Sequence, residues 1–237
     1  MSSTSQKSFS SRLGNAKKLK TIVSNFATYQ PPITEASVGN LNETITQIEV
    51  LQTDYNNAKA DYTVKTDERR KVFTENANSI DKQLAPIRAF VEALKGKDST
   101  ELSQVSSLIK KIRGQASKKV STTDEENEEK TISQVERTYA SRVANFRNII
   151  DILTTLGPSY IPANTELTLP SLLALAEEAE ASTEAVDLAL ATLKPIIEQR
   201  RTYFEDLSKQ IQSIKNFVKA QYGQSSNEYK QIKGLSI

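Results

Sequence analysis

Tyr29, Pro31, Thr34, Glu35, Ser37 and Leu41 reappear 131 positions later as Tyr160, Pro162, Thr165, Glu166, Thr168 and Leu172. The same offset carries Arg69, Arg70 and Phe73 onto Arg200, Arg201 and Phe204. After a four-residue slip, Ile87-Arg88-Ala89-Phe90-Val91-Glu92-Ala93 matches Ile214-Lys215-Asn216-Phe217-Val218-Lys219-Ala220, and Gly96, Glu101 and Gln104 match Gly223, Glu228 and Gln231. A chain that repeats itself over such a span must fit both copies to one local fold, so each structural inference has to hold twice. The reading is a helical repeat over 1–120, an acidic linker over 121–130 and a second helical repeat over 131–237.

Composition narrows the chemistry open to such a fold. Histidine, cysteine and tryptophan are absent, and the single methionine is Met1. Zinc, haem and iron–sulfur sites built on imidazole or thiolate are excluded, as are nucleophiles activated by histidine. Catalysis would need paired carboxylates, a lysine or a magnesium site, and the expectation is a protein that is not an enzyme and uses no cofactor. The lack of cysteine rules out a disulfide framework and fits a reducing, cytoplasmic setting. No run of 18 apolar residues offers a membrane span, and Met1–Ser11 lacks the apolar stretch of a secretory signal. With only 7 glycines and 7 prolines in 237 residues there are few turns. Long helices follow.

The spacing of apolar residues agrees. Phe9, Leu13, Ala16, Leu19, Ile22, Val23 and Phe26 step at helical intervals and predict a first helix over about 8–28. Its counterpart runs through Ile132, Val135, Tyr139, Val143, Phe146, Ile149, Ile150, Leu153 and Leu156 and stops at Gly157-Pro158. Ser37 and Thr168 suit helix N-caps, whose side-chain oxygens accept an orphan backbone N–H. Pro170 falls just inside the second start, where a missing donor costs nothing. From Ser37 to Leu94, and again from Thr168 to Tyr222, the apolar stripe continues almost without glycine. Two readings fit. A break near Val64–Asp67, aligned with Leu193–Glu198, would make three helices of similar length in a spectrin-like bundle. A single helix of 58 residues would instead span roughly 87 Å, and this long helix, kinked near Pro86 in one copy and near Pro195 in the other, is the expectation. The copies differ by four residues between Phe73 and Ile87, nearly one helical turn, which a helix would absorb as an added turn. Gly96 and Gly223 suit helix ends. Ser99 or Thr100, and Ser225 or Ser226, would cap a further short helix ending at Gly114 and Gly234.

Few charged constellations carry chemistry. Arg69-Arg70 and Arg200-Arg201 are the one charged cluster kept in both copies; they are candidates for bidentate contact with phosphate or carboxylate. Against that stands pairing with Asp67, Glu68 and Glu198 and packing of the arginine stems over apolar surface. Lys17, Lys18 and Lys20 give the first helix a basic face, a candidate for acidic partners or a membrane surface. The match of Ser11-Arg12-Leu13 and Asn15 with Ser141-Arg142-Val143 and Asn145 makes that helix part of the repeated fold rather than a targeting segment. The run Asp124, Glu125, Glu126, Glu128 and Glu129 lacks the spacing of a calcium loop and reads as solvated linker. Gly96-Lys97-Asp98-Ser99 lacks the upstream glycine of a phosphate loop and reads as a helix cap. Charge divides unevenly: residues 1–120 carry 19 basic and 12 acidic residues, and 121–237 carry 12 and 17. Two similar folds of opposite sign would attract each other within a chain or head-to-tail between chains, and head-to-tail contacts make rings or filaments. Against that, the linker alone contributes five acids, without which the second half is near neutral.

The stretch Phe217-Val218-Lys219-Ala220-Gln221-Tyr222-Gly223-Gln224-Ser225-Ser226-Asn227-Glu228-Tyr229 resembles a signature of uncharacterised helical bacterial proteins, in which YG-x-x-S-x-E-Y follows a long helix. The resemblance implies duplicated helical bundles in bacteria and no particular activity. The expectation is an all-α, elongated, duplicated scaffold or assembly subunit whose partner is another protein or a second copy, with no small-molecule substrate. A membrane-associating helical protein of the pore-forming kind is the alternative, and an electrostatic nucleic-acid binder a further one.

Overall fold

The computed structural model describes residues 8–114 and 138–236. The acidic linker 121–130 and the first two positions of the second apolar stripe, Ile132 and Val135, lie outside the described residues. Every regular element among those described is helical: α1 Phe9–Ser24, α2 Val38–Arg70, α3 Ile80–Lys95, α4 Thr100–Ile112, α5 Tyr139–Thr155, α6 Leu169–Tyr222 and α7 Asn227–Ile232.

Capping sets the helix starts. Ser8 accepts from Ser11 N at the head of α1, and Thr138 accepts from Ser141 N at the head of α5. Ser37 Oγ accepts from Asn40 N at 3.1 Å as α2 begins. Ser99 caps α4 through Leu102 N and Ser226 caps α7 through Tyr229 N. Each cap satisfies a donor that the first turn leaves without an intrahelical partner. Gly96 and Gly223 take φ of 88° and 94° where α3 and α6 stop, a backbone region closed to most side chains.

The long-helix reading holds best in α6, whose 54 residues run without interruption through Pro195. Pro195 removes a donor to the Ala191 carbonyl, but both residues are exposed, so water can take its place. In the first copy the break falls between 71 and 79 rather than at Pro86 or at Val64–Asp67. After Arg70 the chain makes one π turn, Lys71–Glu75, closed by Asn76 N donating to Lys71 O at 3.0 Å. Four non-helical residues follow, and α3 restarts at Ile80 and continues through Pro86. The four-residue difference therefore is not added as a helical turn. Four residues would rotate the helix by about 40° past a full turn and lengthen it by roughly 6 Å. The π turn and stop absorb that offset, and Phe73 and Ile80 on either side are both fully buried.

The chain divides into two compact units, one of residues 1–60 and 190–237, the other of residues 61–189. Each therefore draws on both the N-terminal and the C-terminal half of the chain. In the first unit, Ala16, Leu19, Val23, Leu41, Ile45 and Ile48 from α1 and α2 share a core with Phe204, Leu207, Ile211, Ile214 and Val218 of α6 and Ile232 of α7. In the second, Phe73, Ile80, Leu84, Ile87 and Val91 pack with Phe146, Ile149, Ile150 and Leu153 of α5 and Leu172, Ala176 and Ala179 of α6. α4 lies against α3 and α5 through Leu102, Val105, Ile109 and Ile112. Full burial of one such side chain contributes about 1.5–3 kcal/mol.

Candidate functional site

The connections that follow α1 and α5 are built alike. Tyr29 donates its hydroxyl to Ala36 O at 2.7 Å, and Tyr160 donates to Leu167 O at 2.6 Å. Each bond ties the loop to a one-turn 3-10 helix, Thr34–Ala36 or Thr165–Leu167, just before the next long helix. Burial pushes both phenols up to about 12, with Tyr222 adding to the effect at Tyr29.

The twin arginine pairs split by role. In the first unit Arg200 lies over the rings of Phe9 and Tyr55, at 4.1 and 4.3 Å from their centroids. Arg12 covers Phe204 at 5.0 Å, and the Phe9 and Phe204 rings are 4.6 Å apart. In the second unit Arg69 lies 3.9 Å over Tyr139, Arg142 lies 4.9 Å over Phe73, and the Phe73 and Tyr139 rings are 4.7 Å apart. Each unit thus holds two guanidiniums on two packed rings. All four arginines have a buried Nε with no hydrogen-bond partner among the described residues, the expected state of an edge turned toward carbon rather than water. The second arginines stay outside. Arg70 bridges Asp67 at 3.1 Å and Glu75 at 3.0 Å, and Arg201 bridges Glu198 at 2.6 Å.

The clusters differ at one point. Arg142 donates to Asp81 Oδ1 at 3.0 Å, whereas Arg12 donates to Phe204 O and Ser208 Oγ, both at 2.7 Å. Asp81 and Ser208 occupy matched positions after the four-residue slip. Arg12 has its pKa lowered by burial, partly opposed by Glu205.

The basic face of α1 is partly engaged. Lys17 meets Glu49 of α2 at 2.5 Å, Lys20 donates to Asn42 at 2.9 Å, and Lys18 is exposed. The matched contact in the second unit is Arg147 with Glu180, closed by two hydrogen bonds of 2.6 Å. That pair raises the Arg147 pKa and lowers that of Glu180, the hydrogen bond being the larger cause for each. It crosses a groove of about 400 Å³ whose sides are Ala140, Val143 and Ala144 of α5 and Thr183, Glu184 and Asp187 of α6.

The structure brings Arg69 to Tyr139 and Arg200 to Phe9, but Arg70, Arg201, Lys17, Lys18 and Lys20 join neither cluster. Ser99 Oγ donates to Gly96 O at 2.9 Å while capping α4, so the Gly96–Ser99 stretch is a helix connection. Sequence reasoning overlooked Arg12 and Arg142 as members of the arginine clusters. Their signal was present in the Ser11-Arg12 and Ser141-Arg142 match, each arginine standing three residues after an aromatic ring. Among the described residues no group of three or more acidic side chains is placed to hold a metal ion, and no helix is long and apolar enough to cross a membrane. The chain matches no family model, no curated protein and no solved structure.

Proposed function

We propose that this chain is a non-enzymatic helical scaffold or assembly subunit, produced by tandem duplication and working by presenting repeated helical faces to another protein or to a second copy. The observation that carries the reading is how Arg69 and Arg200, the inner arginines of the twin pairs, are used. They lie on rings supplied by the opposite copy, at 3.9 Å from Tyr139 and 4.1 Å from Phe9. Guanidiniums committed to aromatic faces hold helices in register and are not offered to a small anion. The matched tyrosine bonds, the matched N-caps Ser8 with Thr138 and Ser99 with Ser226, and the positive-φ glycines Gly96 and Gly223 support the duplication. Each copy gives its first half to one unit and its second half to the other.

Light scattering over a concentration series, with negative-stain imaging of the same samples, tests the proposal. Particles of defined shape whose mass grows with concentration are expected. A chain that stays monomeric at high concentration, in low and in physiological salt, would remove self-assembly and leave only a foreign protein partner.

A further inference from the structure

The duplication offers an internal comparison: where the copies agree the fold accounts for the residue, and where they differ on an exposed face the fold does not. The most informative face surrounds the matched ion pairs Lys17–Glu49 and Arg147–Glu180. At five exposed positions around them the copies differ in one direction. Lys18, Thr21, Thr46, Thr53 and Asn56 in the first unit stand against Asn148, Asp151, Glu177, Glu184 and Asp187 in the second. The opposite differences, Glu43 against Ala174 and Asp54 against Ala185, lie on a neighbouring row of α2 and α6. The α5–α6 face is therefore strongly acidic, whereas on the first unit the basic charge lies on α1, which carries Lys17, Lys18 and Lys20 and no acidic residue.

The groove in the second unit has the form of a docking surface. Its apolar side is Ala140, Val143 and Ala144, and Glu180, Glu184 and Asp187 line its acidic edge. On the first unit, Gly14 replaces Ala144. A Cβ at Gly14 would meet nothing within 4 Å, so nothing inside the chain asks for glycine there. A glycine within a helix costs roughly 0.5–1 kcal/mol against alanine. Its bare backbone does, however, allow another helix to approach closely.

We infer that the acidic α5–α6 groove of one molecule receives the basic edge of α1 of a second copy, around Gly14, Lys17 and Lys18, giving a head-to-tail assembly. This rests on the scaffold reading and names its contact. The two surfaces are different patches, so the contact is heterologous and propagates until it closes into a ring or continues as a filament. Its charges are exposed, so the contact weakens as salt shortens the screening length.

Charge exchange tests it on the full chain. E184K/D187K cancels the acidity of the groove, and K18E/T21E places acids on the α1 edge beside Gly14. Sedimentation velocity is expected to show each variant alone associating on the order of tenfold more weakly than the parent chain. An equimolar mixture is expected to recover the contact once per pair, as heterodimers, because each variant then supplies the face the other lacks. E184Q/D187N, a gentler change, is expected to weaken association by less. Circular dichroism verifies that each variant remains helical, and the gentler pair decides the matter if a charge reversal unfolds. Association of the parent chain that ignores these substitutions, or variants that mixing does not rescue, would overturn the groove assignment and leave the scaffold reading standing. A parent chain that never associates would overturn the second-copy contact and leave the scaffold reading only a foreign protein partner. A monomeric parent that binds a lysine-rich peptide through Glu184 and Asp187 would assign the groove to a foreign basic partner and overturn the second-copy contact.

Discussion

Tyr160 is 7% exposed and its hydroxyl ends on a carbonyl inside the fold, so removing the oxygen leaves an acceptor without a donor. Tyr160→Phe is expected to cost about 1–2 kcal/mol at neutral pH, measured by urea unfolding. The same residue sets an alkaline limit. With the folded pKa pushed up to about 12, the native state keeps a proton that the unfolded chain releases near 10. The stabilisation is complete below pH ~10 and lost as pH rises through ~12, so the unfolding free energy falls across that window. Lys215, whose pKa burial lowers, acts in the opposite sense. The comparison is therefore made between variants: Tyr29→Phe/Tyr160→Phe is expected to show a shallower decline from pH 10 to 12 than the parent chain. The arginines give a second contrast. Arg200→Ala removes a guanidinium from two rings and is expected to cost about 1–2 kcal/mol. Arg201→Ala, on a side chain 66% exposed, is expected to stay within about 0.5 kcal/mol. Equal effects at the two positions would contradict the division of roles.

Helices were legible wherever local chemistry decided them. The caps at Ser37, Ser99 and Ser226, the stops at Gly96 and Gly223, and the stripes of α1, α3 and α6 follow from hydroxyls, free φ and a period of 3.6, all carried by residues close in sequence. The π turn at Lys71–Glu75 was not legible. It answers to where Phe73 and Ile80 must point within the second core, which no local rule encodes. The arginine clusters were half legible for the same reason. The twin pairs stood out as repeated charge, but a helical stripe tells which residues are buried without telling which helix covers them. Tyr139 over Arg69, and Phe9 over Arg200, are long-range pairings of that kind. At the scale of one element, Gly14 allows a clean test. It lies within α1, its φ is not positive, and an added methyl would touch nothing within 4 Å. Gly14→Ala is expected to raise stability by about 0.5–1 kcal/mol in thermal unfolding of dilute protein. A loss of stability there would mean that the site is less open than the geometry indicates.

Neither compact unit coincides with the first or the second half of the chain. The first needs residues 1–60 together with 190–237, and the second takes the end of α2, α3, α4, α5 and the start of α6. Phe73, Leu84 and Ile87 are buried against a core that includes Phe146, Ile149 and Leu172, and Leu19 and Leu41 against one that includes Phe204 and Ile214. A polypeptide of residues 1–120 contains half of each core and completes neither, and the same holds for 121–237. Losing the partners of several fully buried side chains removes about 2–5 kcal/mol at each site, more in sum than a domain of this size has to spare. Each half alone is therefore expected to unfold without a cooperative transition as a monomer, or to acquire one only by pairing with a second molecule of itself. Mixing the two halves is expected to restore helical signal and a single sharp denaturation, with a midpoint that rises with concentration because folding now includes association. Two halves that each melt cooperatively as monomers, and gain nothing on mixing, would show that each copy closes on itself and would contradict the exchanged pairing.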